Sequence, residues 1–157
     1  MLANDDPYTD GTLASNYKNI TAKYNRARDT LLMGEYDYML CLEDDVIVPH
    51  DALARLLNCE ADVAYGLVCW RHGTPTWSAR IPDDSQPLGR VLSETPSLAR
   101  DYWVKVIDVV GVGMACTLIK RRALERLAFR LEPDAAVCCD WWLATDAQRL
   151  LFTQRAD

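Results

Sequence analysis

The sequence lacks three features that would assign it to large functional classes. No apolar run approaches the ~20 residues that a membrane-spanning helix needs. Basic residues are not in excess, because 17 Lys and Arg stand against 23 Asp and Glu, a net charge of −6. Nucleic-acid affinity depends mostly on cations that meet phosphates, so we expect no nucleic-acid partner. The N-terminus has neither a basic segment nor an apolar one, which predicts no signal peptide.

Cysteine motifs are also missing, although the chain contains six cysteines. There is no C-x-x-C, and Cys138 and Cys139 are adjacent, which is poor geometry for a mutual disulfide or a shared metal. Cys41, Cys69 and Cys116 lie within apolar, strand-like runs, where a free thiol behaves as a small hydrophobic side chain. The pattern predicts reduced thiols and a cytoplasmic location.

What is present is the composition of one globular domain. The chain has 157 residues, half of them apolar and a quarter charged, which is enough for one core and too little for two. We expect a single domain over 1–157, with residues 1–11 irregular because Pro7 and Gly11 interrupt a polar stretch.

Hydrophobic periodicity predicts alternating helices and strands. An apolar stripe with spacings of three and four predicts a helix between Thr12 and Gly34. The stripe consists of Leu13, Tyr17, Ile20, Tyr24, Ala27 and Leu31. Later patterns predict helices over 50–58, 120–131 and 140–151. Strands are predicted over 36–42, 61–70, 76–81, 88–92, 102–110 and 114–119, with a break at 111–113. Helix–strand alternation is typical of an α/β fold with a mixed, mostly parallel sheet flanked by helices.

Three consecutive carboxylates follow the first predicted strand: Glu43, Asp44 and Asp45. Ligands of open α/β sheets bind beyond the carboxyl ends of strands. Because adjacent carboxylates repel each other, a hard divalent ion such as Mn²⁺ or Mg²⁺ would stabilise them. In an extended backbone Glu43 and Asp45 would face one metal–diphosphate unit, and Asp44 would bond the scaffold or a ribose. The alternative is an acidic loop that caps the next helix, although Asp45 is far from that helix's start at Pro49.

The segments 24–28 and 36–53 resemble the centre of nucleotide-sugar-dependent glycosyltransferases of the GT-A fold, family 2 in particular. In that family a helix with an Asn precedes a strand that ends in Asp-x-Asp, followed by a Pro and a helix. This chain has Glu-Asp-Asp at that place, a form that occurs in N-acetylglucosaminyltransferases of the same fold. The resemblance implies a GT-A-like domain in which Asp45 is the most direct metal ligand, and Glu43 and Asp44 help to hold the metal and the nucleotide sugar.

Two later segments are similar to the same family. Residues 111–122 resemble its glycine-bearing strand, so Gly111 and Gly113 would let the backbone approach the donor; the alternative is a β-bulge between two strands. Residues 139–143 resemble the segment with a Glu-Asp pair at a helix start, whose Asp is the general base of inverting members. Asp140 would take that role, with Cys139 at the Glu position. The alternative for Asp140 is a helix N-cap, and Asp146 is the second choice for the base.

Other residue types have two interpretations each. Four tryptophans could stack on sugars or pack in the core: Trp77, Trp103, Trp141 and Trp142. Five basic residues could contact a diphosphate or a lipid, or form a solvated helix face: Lys120, Arg121, Arg122, Arg126 and Arg130. His50 is expected on the surface, and His72 is a weaker metal-ligand candidate.

The resemblance is incomplete at both ends of the sequence. The first βαβ unit, which holds the nucleotide base in GT-A enzymes, has no counterpart, and this predicts an open sheet edge that a second copy could cover. We expect a nucleotide-sugar donor and a carbohydrate, protein or lipid acceptor as partners. One alternative is a non-catalytic or truncated GT-A-like domain that acts as a binding or scaffold module. The other is another metal-dependent nucleotidyltransferase, which the absence of a G-x-x-x-x-G-K-[ST] loop disfavours.

Overall fold

The computed structural model describes residues 11–69, 77–86, 89–92, 106–132 and 138–157. The described helices are α1 (Leu13–Met33), α2 (Ala52–Asn58), α3 (Arg121–Leu124) and α4 (Cys139–Arg149). The described strands are β1 (Tyr38–Leu42), β2 (Val63–Tyr65), β3 (Ala79–Ile81), β4 (Arg90–Val91), β5 (Ile107–Asp108), β6 (Gly111–Val112), β7 (Cys116–Lys120) and β8 (Gln154–Ala156). The predicted irregular segment 1–11 lies outside the described residues, except for Gly11.

Helix α1 begins and ends at the predicted residues. The Ser15 N–H donates to Thr12 Oγ1 at 3.2 Å, so Thr12 is a side-chain N-cap. At the other end the Gly34 N–H donates to the carbonyls of Thr30 and Leu31. Leu31 is buried in the core, and Tyr24 and Ala27 pack against it. The predicted stripe is therefore confirmed at its C-terminal end, whereas Leu13 is exposed.

The main sheet has the strand order β1-β7-β2-β8-β5. Strand β7 pairs antiparallel with both β1 and β2, and β5 pairs antiparallel with β8; only β2 and β8 are parallel among the described pairs of this sheet. The prediction of an α/β fold is confirmed, but the prediction of a mostly parallel sheet is wrong. Strands β1 and β2 do run in the same direction, as their intervening helix suggested, but β7 lies between them.

A second, three-stranded sheet has the order β4-β3-β6. Gly111 pairs with Arg80 and Val112 pairs with Ala79, so the predicted break at 111–113 is wrong for these two residues. The Gly113 N–H continues the contact by donating to the Ser78 carbonyl at 3.1 Å. This sheet brings Ser78 and Gly113 together beside the first turn of α4.

Two further predictions fail in the last third of the chain. The predicted helix over 120–131 ends after one turn as α3, because Leu127 and Phe129 leave the helix to fill the core. Strand β8 was not predicted, since TQRAD has no apolar run. Its Gln154 is buried because Tyr65 donates to its Oε1 at 2.8 Å and its Nε2 donates to the Ala144 carbonyl at 3.0 Å.

Burial is concentrated between the main sheet and the helices α1 and α4. The largest fully buried side chains include Tyr65, Ile119, Leu124 and Leu143. A smaller cluster around Leu56 and Leu118 joins α2 to the opposite face of the sheet. At the outer strand β1, Leu40 and Leu42 remain about half exposed. Within the described segments, no helix has the length and apolarity needed to cross a membrane.

Candidate active site

The acidic turn follows β1 directly. The Glu43 N–H donates to the Ala115 carbonyl at 3.0 Å, which extends the pairing with β7 by one residue. The Val46 N–H then donates back to the Glu43 carbonyl at 3.3 Å, which closes a turn with Asp44 and Asp45 at its corners. The prediction that Glu43 and Asp45 lie in an extended backbone is therefore wrong, because the chain turns here. All three acidic residues are exposed at the end of the sheet.

Asp140 lies in the first turn of α4 and is half-buried. The N-cap of this helix is Cys138, which makes no side-chain capping bond, so Asp140 is not the N-cap that the alternative interpretation assigned. Its Oδ1 accepts the Trp141 N–H at 2.7 Å. Burial raises the pKa of the Asp140 carboxyl above its ordinary value, although the backbone N–H groups of Trp141 and Asp140 oppose this effect.

Asp140 and the acidic turn belong to one electrostatic environment. The pKa of Glu43 is raised by partial burial first and then by the negative charges of Asp45, Asp140 and Asp44. The pKa of the Tyr24 hydroxyl is raised mainly by burial, with added contributions from Cys41, Glu43, Cys139 and Asp140. The fold thus brings together groups from α1, the end of β1 and the start of α4. Clustered carboxylates with raised pKa values are typical of functional sites.

The carboxylates of this site suit a divalent cation in their chemistry. No group of three or more His, Cys, Asp or Glu side chains within the described residues has the arrangement of a complete metal site. Mg²⁺, however, is usually held by one or two carboxylates, with substrate phosphates and waters as the other ligands. Glu43 and Asp45 provide two such carboxylates, and their repulsion is what a cation would relieve.

A cavity of about 350 Å³ lies in front of Asp140. Its wall includes Trp77, Ser78, Gly113, Asp140 and Trp141. A Cβ on Gly113 would lie 3.9 Å from Asp140 Oδ2, so the missing side chain leaves space beside the carboxylate. Gly111 also lines this cavity, but a Cβ there would come within 3.1 Å of the Ala144 Cβ. Gly111 therefore allows β6 to pack closely against α4.

A second, mainly apolar cavity of about 410 Å³ lies beyond the acidic turn. It is lined by Val46, Val48 and Leu67, and Trp77 lines both cavities. Arg55 and Asp157 also line it, joined by an ion pair of 2.6 Å from Nη2 to Oδ1. The acidic turn is thus followed in the chain by residues that enclose an apolar space.

Several residues singled out in the sequence are occupied by structural contacts. Asp146 accepts from Arg130 Nε at 2.7 Å, and the Arg130 guanidinium also lies 4.5 Å from the centre of the Trp142 ring. Arg122 is paired with Asp62. Arg122 and Arg130 are thus held by acidic partners within the fold, which neither predicted role of the basic group describes, and Asp140 is the stronger of the two candidates for the base.

The remaining candidates lie on the surface or outside the described residues. Arg126 lies 5.5 Å from the centre of the Phe152 ring, and Lys120 pairs with Tyr38 in the sheet. His50 is exposed, as predicted. His72 and Trp103 lie outside the described residues.

Two site residues were missed by the sequence-based argument. Tyr24 was assigned to the apolar stripe of α1, and its position near the carboxylates depends on how α1 packs across β1. Ser78 follows Trp77 in a predicted strand, and a single serine there carries no signal. Both residues are identified only by tertiary contacts.

Comparison with known proteins yields a likeness in fold. The sequence matches no family model and no curated protein. The structure is similar to the crystal structure of A197 from STIV, with a TM-score of 0.55 and 19% sequence identity. The match covers 88% of this chain and 63% of A197, so the chain spans less than two thirds of that protein's length. At this identity the likeness shows a shared α/β fold alone.

Proposed function

We propose that the protein is a metal-dependent glycosyltransferase that moves a sugar from a nucleotide-diphosphate donor to an acceptor hydroxyl. The observation that supports this most is that the negative charge of Asp140 acts on Glu43 of the acidic turn, while Asp140 itself lines a cavity. Their carboxyl groups lie 97 positions apart in the sequence, yet the charge of Asp140 raises the pKa of Glu43. An acidic turn that could hold a cation and a separate carboxylate beside a cavity are the two parts that this reaction requires.

In this proposal the acidic turn binds the nucleotide-sugar donor. Glu43 and Asp45 would hold Mn²⁺ or Mg²⁺ together with the diphosphate oxygens, and Asp44 would bond the scaffold or the ribose. A bound divalent cation neutralises the negative charge that develops on the leaving nucleoside diphosphate. The turn is exposed, so a diphosphate can approach it from solvent.

In this proposal Asp140 is the general base that acts on the acceptor hydroxyl. Its Oδ2 receives the proton of the acceptor hydroxyl while the hydroxyl oxygen bonds to the anomeric carbon and the bond from that carbon to the diphosphate breaks. The raised pKa makes Asp140 a stronger base than an ordinary exposed aspartate. The Trp141 N–H fixes Oδ1, which leaves Oδ2 facing the space above Gly113.

Donor binding is tested first. Thermal shifts and calorimetry with UDP-, GDP- and CMP-sugars, each with and without Mn²⁺, should show binding that needs the metal. Asp45→Ala should lower that affinity at least 10-fold, because it removes a charged ligand. The matched control is Asp84→Asn, which changes an exposed carboxylate of the turn after β3. No metal-dependent binding of any nucleotide sugar, or unchanged affinity in Asp45→Ala, would contradict the metal site.

Transfer is tested second, with hydrolysis or transfer of the bound donor as the measurement. Asp140→Asn should reduce the rate by 10²-fold or more, as removal of a general base does, while donor affinity stays close to that of the unaltered protein. Donor binding without any turnover would identify a binding module instead. Preference for nucleoside triphosphates over nucleotide sugars would identify a nucleotidyltransferase.

A further inference from the structure

The Ser78 hydroxyl is buried without a hydrogen-bond partner among the described residues, and so is the indole N–H of the preceding residue, Trp77. Trp77 as a whole is only 6% exposed. Most buried polar side-chain atoms in proteins have a partner, since an unsatisfied one costs about 1–3 kcal/mol. Two neighbouring exceptions in the wall of one cavity indicate a place where a ligand supplies the partners.

The backbone holds Ser78 firmly in this position. Its N–H donates to the Val68 carbonyl at 2.9 Å, and its carbonyl accepts the Gly113 N–H at 3.1 Å. Strand β3 begins at the next residue. The backbone that carries the hydroxyl is therefore fixed before any ligand arrives, which lowers the entropy cost of binding.

Gly113 creates the space between Ser78 and Asp140. A Cβ at Gly113 would lie 3.9 Å from both Ser78 Oγ and Asp140 Oδ2. These are ordinary contact distances, so a methyl group would fit the fold but would take up space next to both polar atoms. The unsubstituted glycine keeps a hydroxyl donor and acceptor and a carboxylate acceptor facing one small space.

We propose that this cavity binds a single sugar ring of a carbohydrate acceptor, that Ser78 hydrogen-bonds one of its hydroxyls, and that Gly113 sets the size of ring admitted. Closely spaced donors and acceptors match the hydroxyls of a pyranose. A volume of about 350 Å³ is near the lower end for ligand pockets and suits one ring. Trp141 adds an aromatic wall, with the Arg80 guanidinium 5.5 Å from its ring centre.

The assignment of this ring to the acceptor rests on the proposed function, because it requires Asp140 to be the base. Binding of the ring to the cavity does not depend on the proposed function. The experiment therefore measures free glycosides without nucleotide or metal, by saturation-transfer NMR titration. The probes are the methyl glycosides of glucose, galactose, mannose and N-acetylglucosamine.

At least one of these glycosides should bind the unaltered protein. Ser78→Ala should weaken that binding about 3- to 10-fold, the worth of one neutral hydrogen bond, and Gly113→Ala should weaken it more. Ser78→Ala should not lower the melting temperature, because the hydroxyl it removes has no hydrogen-bond partner among the described residues. Ser85→Ala is the matched control, since the Ser85 hydroxyl bonds only Asp83 in an exposed turn among the described contacts.

Two results would overturn the ring site: no binding of any glycoside, or equal binding by the unaltered protein, Ser78→Ala and Gly113→Ala. A lower melting temperature in Ser78→Ala would show a structural role for the hydroxyl and would also contradict the proposal. Failure of metal-dependent donor binding, with glycoside binding still sensitive to Ser78, would remove the transferase function and the acceptor assignment but keep the ring site.

Discussion

The side-chain amide of Asn25 pairs with the backbone of Phe129. Asn25 Nδ2 donates to the Phe129 carbonyl at 2.7 Å, and the Phe129 N–H donates to Asn25 Oδ1 at 3.0 Å. The neighbouring Tyr24 ring stacks on the Phe129 ring, with 5.0 Å between centroids. Asn25 is one of the residues that carry the resemblance to glycosyltransferases, and its observed contact is architectural: it holds the chain after α3 against α1.

Asn25→Ala should therefore destabilise the fold. Phe129 is buried, so loss of the amide leaves its N–H and carbonyl without partners, at about 2–3 kcal/mol in total. Urea unfolding gives the measurement, and Asn16→Ala on the exposed face of α1 is the control. Equal stability of the two variants would mean that the Asn25 contact contributes nothing.

Arg121 caps the C-terminal end of α1. Its guanidinium donates to the carbonyls of Leu31, Leu32 and Gly34 at 3.1, 2.8 and 2.7 Å, and to that of Tyr36 at 3.3 Å. Arg121→Lys should lower the free energy of unfolding by about 1–2 kcal/mol, because an ammonium group cannot reach all four carbonyls.

The control for Arg121 is Arg90→Lys, which changes an exposed residue of β4. Nucleotide-sugar affinity should remain unchanged in Arg121→Lys. A variant of normal stability that binds the donor poorly would instead place Arg121 on the diphosphate, as one interpretation of the sequence had it.

The buried carboxylate of Asp62 makes contacts that should weaken at low pH. Its carboxylate is 3% exposed, accepts the Thr153 N–H and hydroxyl at 3.0 Å each, and pairs with Arg122. Burial acts to raise its pKa, but the bonds from Arg122 and Thr153 outweigh burial and hold the pKa below 3.8. A carboxyl whose pKa is lowered by folding stabilises the fold at pH values above its ordinary pKa. This stability is lost as the pH falls through the pKa of the folded state.

Asp62→Asn should thus unfold at lower urea concentration at pH 7, with a loss of about 2 kcal/mol. The difference from the unaltered protein should shrink when both are measured near pH 3. A difference that stays constant between the two pH values would show that ionisation of Asp62 does not contribute.

The local parts of this fold could be predicted, and the central pairing could not. Helix α1 has a periodic stripe with a capping threonine and a terminal glycine, so its bounds follow from the sequence. Strand β8 is the opposite case, because the large side chain that it buries, beside the small Ala156, is the amide of Gln154. The hydrogen bonds with Tyr65 and Ala144 make that burial favourable. A local sequence pattern also does not indicate that β7 lies between β1 and β2 and runs antiparallel to both.

The candidate site divides in the same way. Glu43 and Asp45 are marked by their position after a buried strand, and Asp140 was singled out through the family resemblance. That they share one environment depends on how α4 packs over β6, where Gly111 meets Ala144. Ser78 carries no signal in the sequence, because its importance comes from a hydroxyl that has no hydrogen-bond partner within the part of the chain that the structure describes.

The raised pKa values of Glu43 and Asp140 predict a conflict between stability and function. An acid whose folded-state pKa is raised makes the fold more stable at low pH, and this stability is lost as the pH rises from the unfolded value through the folded one. Asp140→Asn should therefore raise the melting temperature at pH 7 by roughly 2–4 °C. Glu43→Gln should raise it by less, because solvent screens the exposed Glu43 carboxyl. The increase should disappear below about pH 4, where the unaltered carboxyls are protonated in both states.

Mn²⁺ with a bound nucleotide sugar should stabilise the unaltered protein and have less effect on Glu43→Gln, because the variant has lost one carboxylate for the cation. Melting curves at pH 4 and pH 7, with and without these ligands, give all the required comparisons. Asp84→Asn should behave as the unaltered protein does throughout. Lower stability of Glu43→Gln and Asp140→Asn than of the unaltered protein at pH 7 would mean that the two carboxylates stabilise the fold. The interpretation that these carboxylates destabilise the fold and serve to bind a ligand would then be wrong.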